Sequence, residues 1–196
     1  MLLPMLLIFA AAAAPDCGYD KVAVLALNED AFDQDLTKGW RALKNRGCLA
    51  EAADLLRDYR DANTRKRASI LFWHEGQLRA SLNQTEAAIA LFEKSRKPEA
   101  QDEIGWNHYV DGSIAFLRHD RPALQQARDT LARLPAPKEL PNFTLNGQKV
   151  PVAWPLNLNV LDGFLKCFDK PYAVAYSSDA CTASLAKITV KDEPQR

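Results

Sequence analysis

Net charge is missing from this sequence: 25 basic side chains stand against 25 acidic ones, and the sequence pI is near 6.8. Without a basic excess the chain lacks the electrostatic footprint by which proteins hold nucleic-acid phosphates, so no nucleic-acid partner is expected. Long apolar runs are also missing. The one extended run, M-L-L-P-M-L-L-I-F-A-A-A-A-A over residues 1–14, falls short of the roughly 20 residues that span a bilayer. No stable membrane insertion of the mature chain is therefore expected. There is no H-E-x-x-H, no serine nucleophile elbow and no phosphate loop, so no catalytic residue is assigned. No C-x-x-C is present, which excludes a redox-active dithiol, and the cysteine spacing fits no zinc pattern. No metal ligand and no cofactor are expected.

What is present starts with the apolar run itself. Its small residues satisfy A-x-A in several registers, the mark of a secretory signal cleaved near Ala12–Ala13, since Pro15 disfavours cleavage directly before it. The mature protein is read as exported, to a periplasm-like space or beyond the cell. Four cysteines agree with an oxidising compartment: Cys17, Cys48, Cys167 and Cys181. Three pairings are possible, and proximity along the chain favours Cys17–Cys48 with Cys167–Cys181. The second would close a loop of about 15 residues, worth on the order of 3 kcal/mol by chain entropy.

The chain also repeats itself. G-W-R-A-L-K-N-R-G-C-L-A-E-A-A-D-L-L (39–56), E-G-Q-L-R-A-S-L-N-Q-T-E-A-A-I-A-L-F (75–92) and D-G-S-I-A-F-L-R-H-D-R-P-A-L-Q-Q-A-R (111–128) superpose at an offset of about 36 residues. Self-similarity at this period implies stacked helical hairpins, none of which buries its apolar face alone. Helices are expected over 39–46 and 48–61, 66–82 and 85–96, then 102–118 and 121–133. The turns fall at Gly47, Asn83 and His119-Asp120. Glycine and asparagine suit the left-handed residue that ends a helix, and Pro122 fits a first helical turn. Ala52 and Ala88 lie four residues before Leu56 and Phe92, so each small residue shares a helix face with a large one. In the third unit Leu124 and Arg128 take those places.

The second unit, F-W-H-E-G-Q-L-R-A-S-L-N-Q-T-E-A-A-I-A-L-F-E-K-S-R-K-P, resembles a tetratricopeptide repeat. Gly76 matches the small residue of helix A, Ala88 the alanine of helix B and Phe92 its aromatic. The resemblance covers roughly residues 33–136. The family's leucine before the glycine is replaced by Gly39, Glu75 and Asp111, and its later tyrosine by Leu43, Arg79 and Ala115. It implies an all-α fold: a short right-handed solenoid of about three helix-turn-helix units over 15–134, closed by a C-terminal capping extension over 135–196.

The resemblance also implies a ligand groove lined by the first helix of each unit. Position by position, this gives Thr37, Arg41 and Lys44, then Trp73, Gln77 and Ala80, then Trp106, Tyr109 and Ser113. Such a groove suits a protein or peptide, with aromatic faces for apolar side chains and a guanidinium for a carboxylate. The other reading of Trp73, Trp106 and Tyr109 is that they fill the core between repeats.

A further repeated detail, Trp73-His74-Glu75-Gly76 and Tyr109-Val110-Asp111-Gly112, sets two acids at equivalent positions with histidines nearby. A hydrolase acting on cell-envelope material, with Glu75, Asp111 and a histidine as its acid–base groups, is the enzymatic alternative. The helical offset, however, separates the acids by roughly 10 Å, the distance between packed helix axes, which favours a structural role at the seams. A spacer role within an envelope complex is the third possibility. Beyond Leu134 three prolines end the array. Asn146-Gly147 then signals a hairpin, and L-N-L-N-V-L-D-G-F-L-K-C-F reads as a helix.

Overall fold

The computed structural model describes residues 15–63, 68–140, 142–150 and 152–182. The signal-like run, residues 64–67 and the last part of the extension lie outside the described residues. The described chain is mostly helical with one two-stranded sheet, in keeping with the all-α expectation. Two short helices, α1 (Lys21–Leu25) and α2 (Glu29–Asp33), precede three helix pairs. These are α3 (Gly39–Asn45) with α4 (Leu49–Ala62), α5 (Ala68–Ser81) with α6 (Thr85–Lys94), and α7 (Trp106–Leu117) with α8 (Arg121–Ala132). The extension adds strands β1 (Phe143–Leu145) and β2 (Gln148–Val150), then α9 (Leu158–Lys166) and α10 (Tyr172–Ser177).

Local chemistry explains the helix ends. Asp20, Asn28 and Asp120 each accept a backbone N–H from the first turn of α1, α2 and α8, at 2.9 to 3.0 Å. Each such cap satisfies a donor that the helix itself leaves free. The three turns predicted from the repeat are left-handed: Gly47 at φ +85°, Asn83 at +59° and His119 at +53°. The expected helix 102–118 begins later, at Trp106. Gly105 stands at φ +72°, and the Asp102 carboxylate caps the helix instead, accepting from the N–H groups of Trp106 (2.6 Å) and Asn107 (2.8 Å).

The connections within each pair are about three residues long, so the paired helices run antiparallel. α4 also packs closely on α5, which joins the first pair to the second. Ala52, Leu56, Ala88 and Phe92 are fully buried, as the alternation of small and large residues predicts. The third unit departs for a reason. Leu124 is buried, but Arg128 sits where the others carry Leu56 or Phe92, and it donates to Asp162 of α9 at 2.7 Å.

Two apolar clusters result. The first gathers Phe32, Trp40, Leu43, Leu55, Leu56, Tyr59 and Leu71 around α2 to α5, with Phe32 and Tyr59 stacked at 3.6 Å between ring centroids. The second gathers Trp73, Phe92, Tyr109, Phe116, Leu131, Leu161 and Phe164 around α5 to α9. Partly buried Ile70 packs against both. The two disulfides join the cysteine pairs nearest in sequence, Cys17–Cys48 and Cys167–Cys181. The first fastens the N-terminal segment to the start of α4, and the second ties the end of α9 to the residues after α10.

The extension leaves the array at Leu134 and comes back to it, because Trp154 donates its indole N–H to the Leu134 carbonyl at 3.0 Å. Between these points β1 and β2 form an antiparallel hairpin pairing Phe143 with Val150, Thr144 with Lys149 and Leu145 with Gln148. Asn146 and Gly147 both adopt positive φ, +52° and +71°, the backbone that matches the twist of a two-residue hairpin. The hairpin tip reaches the N-terminal part of the fold, where Asn146 N–H donates to the Gln34 carbonyl at 2.9 Å. α9 then packs on α7 and α8, and α10 lies against α5 and α9.

Candidate functional site

The first helices of the three pairs, α3, α5 and α7, contribute one continuous set of polar and aromatic groups, organised from Asp33 at the end of α2. Asp33 is 1% exposed. Its carboxylate accepts the Trp40 indole N–H at 3.0 Å and the Gln34 amide at 2.5 Å, and lies 3.4 Å from His74 Nε2. Arg41 donates Nε–H to the Asp33 carbonyl and places Nη2 3.8 Å from the carboxylate. The guanidinium carbon of Arg41 also sits 4.3 Å above the Trp40 ring. Burial is the main influence on Arg41 and pulls its pKa down, against the opposing charge of Asp33.

From Asp33 the polar chain continues through His74 to α10. His74 Nδ1 lies 3.2 Å from Gln77 Oε1. The Gln77 amide and the Tyr109 hydroxyl lie within hydrogen-bonding reach of the Tyr176 phenol. Burial holds His74 down to about 4, with Asp33 opposing and Arg41 adding to the shift, so the ring is neutral at pH 7. Burial likewise raises Tyr109, Tyr172 and Tyr176, and all three phenols stay protonated. Both nitrogens of His74 face partners within the cluster, one toward Asp33 and one toward Gln77. The neutral ring carries a single N–H, so it donates to only one of these two oxygens.

The groove residues inferred from the resemblance divide into three groups. Gln77 and Tyr109 lie within hydrogen-bonding reach of Tyr176 of the chain's own α10, and the charge of Arg41 acts on the same phenol. Trp73 (3% exposed), Tyr109 (2%) and Ser113 (0%) are buried in this conformation. Trp73 stacks on Phe92 at 4.2 Å and meets Trp106 and Tyr109 edge-on or tilted, at 4.9 and 4.7 Å. Ser113 returns its hydroxyl to the Tyr109 carbonyl at 2.9 Å, as a helical serine does when no other partner reaches it. Trp106 is half-buried, with its indole N–H on the Ser95 carbonyl at 2.9 Å. Lys44 is exposed, with its ammonium 5.9 Å from the Trp40 ring centroid.

Glu75 and Asp111 lie in separate ion-pair networks. Glu75 is 4% exposed and held by Arg60 at 2.5 Å and Arg79 at 3.3 Å, the latter also reaching Asp54 at 2.6 Å. Asp111 is exposed and paired with Arg96 at 2.8 Å, at the edge of a cleft of about 500 Å³ that also holds Glu93, His108 and Arg118.

Sequence reasoning missed Asp33, Tyr172 and Tyr176. Asp33 lies in a helix of five residues, too short for periodicity to register. The tyrosines at 172 and 176 are four apart, a helical spacing within a segment too short to count as a signal. Set against family models, curated proteins and solved structures, the chain matches none of them.

Proposed function

We propose that this chain is an exported, tetratricopeptide-like interaction protein that takes a protein or peptide partner on the face formed by α3, α5 and α7. One observation carries the reading: Gln77 and Tyr109, from two successive first helices, lie within reach of Tyr176 on a short helical segment, and the charge of Arg41 from the helix before them acts on the same phenol. A face that accepts a helix in cis has the shape and chemistry to accept one in trans, with an apolar floor and polar groups fixing orientation. Export is supported by the two disulfides, which persist in oxidising compartments, and by the signal-like residues 1–14. The solenoid architecture is supported by the period of about 36 residues and by the antiparallel packing of each pair.

Chemical crosslinking in the native envelope, followed by affinity capture of the tagged full chain, tests this reading. Arg41→Ala with Gln77→Ala is expected to remove the captured partner while the helical circular dichroism signal persists. Undiminished capture by that variant refutes the groove. The enzymatic alternative is disfavoured by the separation of Glu75 from Asp111 and by the arginines that neutralise each.

A further inference from the structure

α1 is a helix of five residues, too short to persist in water without outside support. Three supports come from α4. Lys21 meets Asp58 at 2.6 Å, the Tyr59 hydroxyl donates to the Leu27 carbonyl at 2.8 Å, and Cys17–Cys48 fastens the preceding segment to the start of α4. Toward α3 the same helix leaves a gap, a pocket of about 250 Å³. Leu43 is buried at its floor, and Val24, Leu27 and Ala42 are half-buried along its walls. Lys38 and Arg46 are exposed at its rim. On α3 the lining residues Gly39, Ala42, Leu43 and Arg46 follow at i, i+3, i+4 and i+7, which is one face of a helix. Arg41 and Lys44 stand on another face, so the pocket is separate from the partner surface proposed above.

Charge sets the first requirement for an occupant. The lining carries two cations and no carboxylate. Arg46 is held by a neutral partner, the Gly18 carbonyl, at 3.2 and 3.3 Å through Nη1 and Nη2. A guanidinium has five N–H donors, so it keeps others for an anion, and its planar fork suits a carboxylate. Lys38 rests 3.3 Å from Asp35 with 58% of its side chain exposed, an ion pair in water that a ligand anion can replace at little cost. Volume sets the second requirement. A dry cavity of roughly 150 Å³ takes benzene, so about ten carbon atoms fill this one. That is one alkyl chain of medium length, not the paired chains of a membrane lipid.

We infer that the pocket between α1 and α3 binds a single-chain carboxylate of about ten carbons. The chain lies among Val24, Leu27, Ala42 and Leu43, and the carboxylate meets Arg46 and Lys38. Burying the chain supplies the affinity, and the two cations set the orientation and select the head group. The site does not depend on the partner surface, and either can fail without the other.

Isothermal titration of the full, disulfide-intact protein with hexanoate, octanoate, decanoate, dodecanoate and tetradecanoate tests this. Affinity is expected to rise about fourfold per methylene as far as decanoate and to level off beyond it. Decanol, with the same chain and no charge, is expected to bind about tenfold more weakly than decanoate. Arg46→Gln with Lys38→Gln changes exposed side chains only, so the fold persists. This variant should bring decanoate down to the level of decanol and leave decanol unchanged. Ala42→Phe fills the pocket and should abolish binding of both while the helical circular dichroism signal is kept. Affinity that keeps climbing through tetradecanoate is unspecific adsorption and overturns the inference. So does equal binding of decanoate and decanol, or decanoate binding that survives the double glutamine variant at full strength. A terminally blocked Glu-Leu-Leu peptide that displaces decanoate with matching affinity gives the pocket to a protein segment and overturns it as well.

Discussion

The seam between α4 and α5 and the seam between α6 and α7 each join one helix pair to the next, yet they are held by opposite means. At the first, Glu75 is enclosed by Arg60 and Arg79, with Asp54 beyond them. At the second, Trp73, Trp106 and Tyr109 fill the joint with rings, and the equivalent acid, Asp111, is left at the surface with Arg96. Two acids 36 residues apart, each on the first helix of a pair, thus contribute differently. The contribution depends on how much water the neighbouring helix displaces. A carboxylate sealed from water depends on its partners, whereas an exposed one can exchange them for solvent.

The largest expected break in this comparison comes from Glu75→Ala. It strands Arg60 and Arg79, whose side chains are 9% and 13% exposed, and should cost about 3 to 5 kcal/mol in urea unfolding. If the loss stays below about 1 kcal/mol, the buried network is not what holds that seam.

Acidification acts next, through His74. Its folded-state pKa is about 4 against an ordinary 6.5, so the unfolded chain takes up the proton first as pH falls. The stability it contributes is complete above pH 6.5 and is lost progressively toward pH 4, up to about 3 kcal/mol at 1.36 kcal/mol per unit. His74→Gln should flatten that part of the stability–pH curve. An unchanged slope in the variant contradicts the buried neutral ring.

The paired glycines sharpen the contrast with a smaller effect. A Cβ at Gly76 would sit 2.6 Å from the Phe92 ring and 3.3 Å from the Ala88 carbonyl, while one at Gly112 would meet the movable end of Leu161 at 2.6 Å. Gly76→Ala should cost about 1 to 3 kcal/mol, and Gly112→Ala clearly less, by thermal or urea unfolding. Equal losses would mean that the two helix crossings are equally rigid. The smallest effect belongs to Asp111→Ala, within about 1 kcal/mol and shrinking further in high salt.

Much of the scaffold was legible because it is written locally. Gly47, Asn83 and His119 end helices by backbone geometry. Asn146-Gly147 dictates a hairpin turn, and the alternation of Ala52 with Leu56 and Ala88 with Phe92 describes a packing face. Cysteine proximity sufficed to favour the pairing that the structure contains. The face around α10 was legible only in part. Arg41, Gln77 and Tyr109 follow from the resemblance to a tetratricopeptide repeat, but Asp33 gains its meaning from Trp40 and His74, which reach it from two other helices. Nothing local identifies Tyr172 and Tyr176 as occupants of that face, because what makes them so is a tertiary contact.

The hydrogen bond from Asn146 to the Gln34 carbonyl also bears on time. Helix pairs joined by short turns close quickly, since their contacts are near in sequence, whereas a contact between distant segments must await a large loop closure. During synthesis the N-terminal portion emerges first, and the carbonyl at the end of α2 waits for a donor that leaves the ribosome only after all three pairs have been made. The contact that ties the hairpin tip to the end of α2 is therefore available only once the whole stretch between Gln34 and Asn146 has been made.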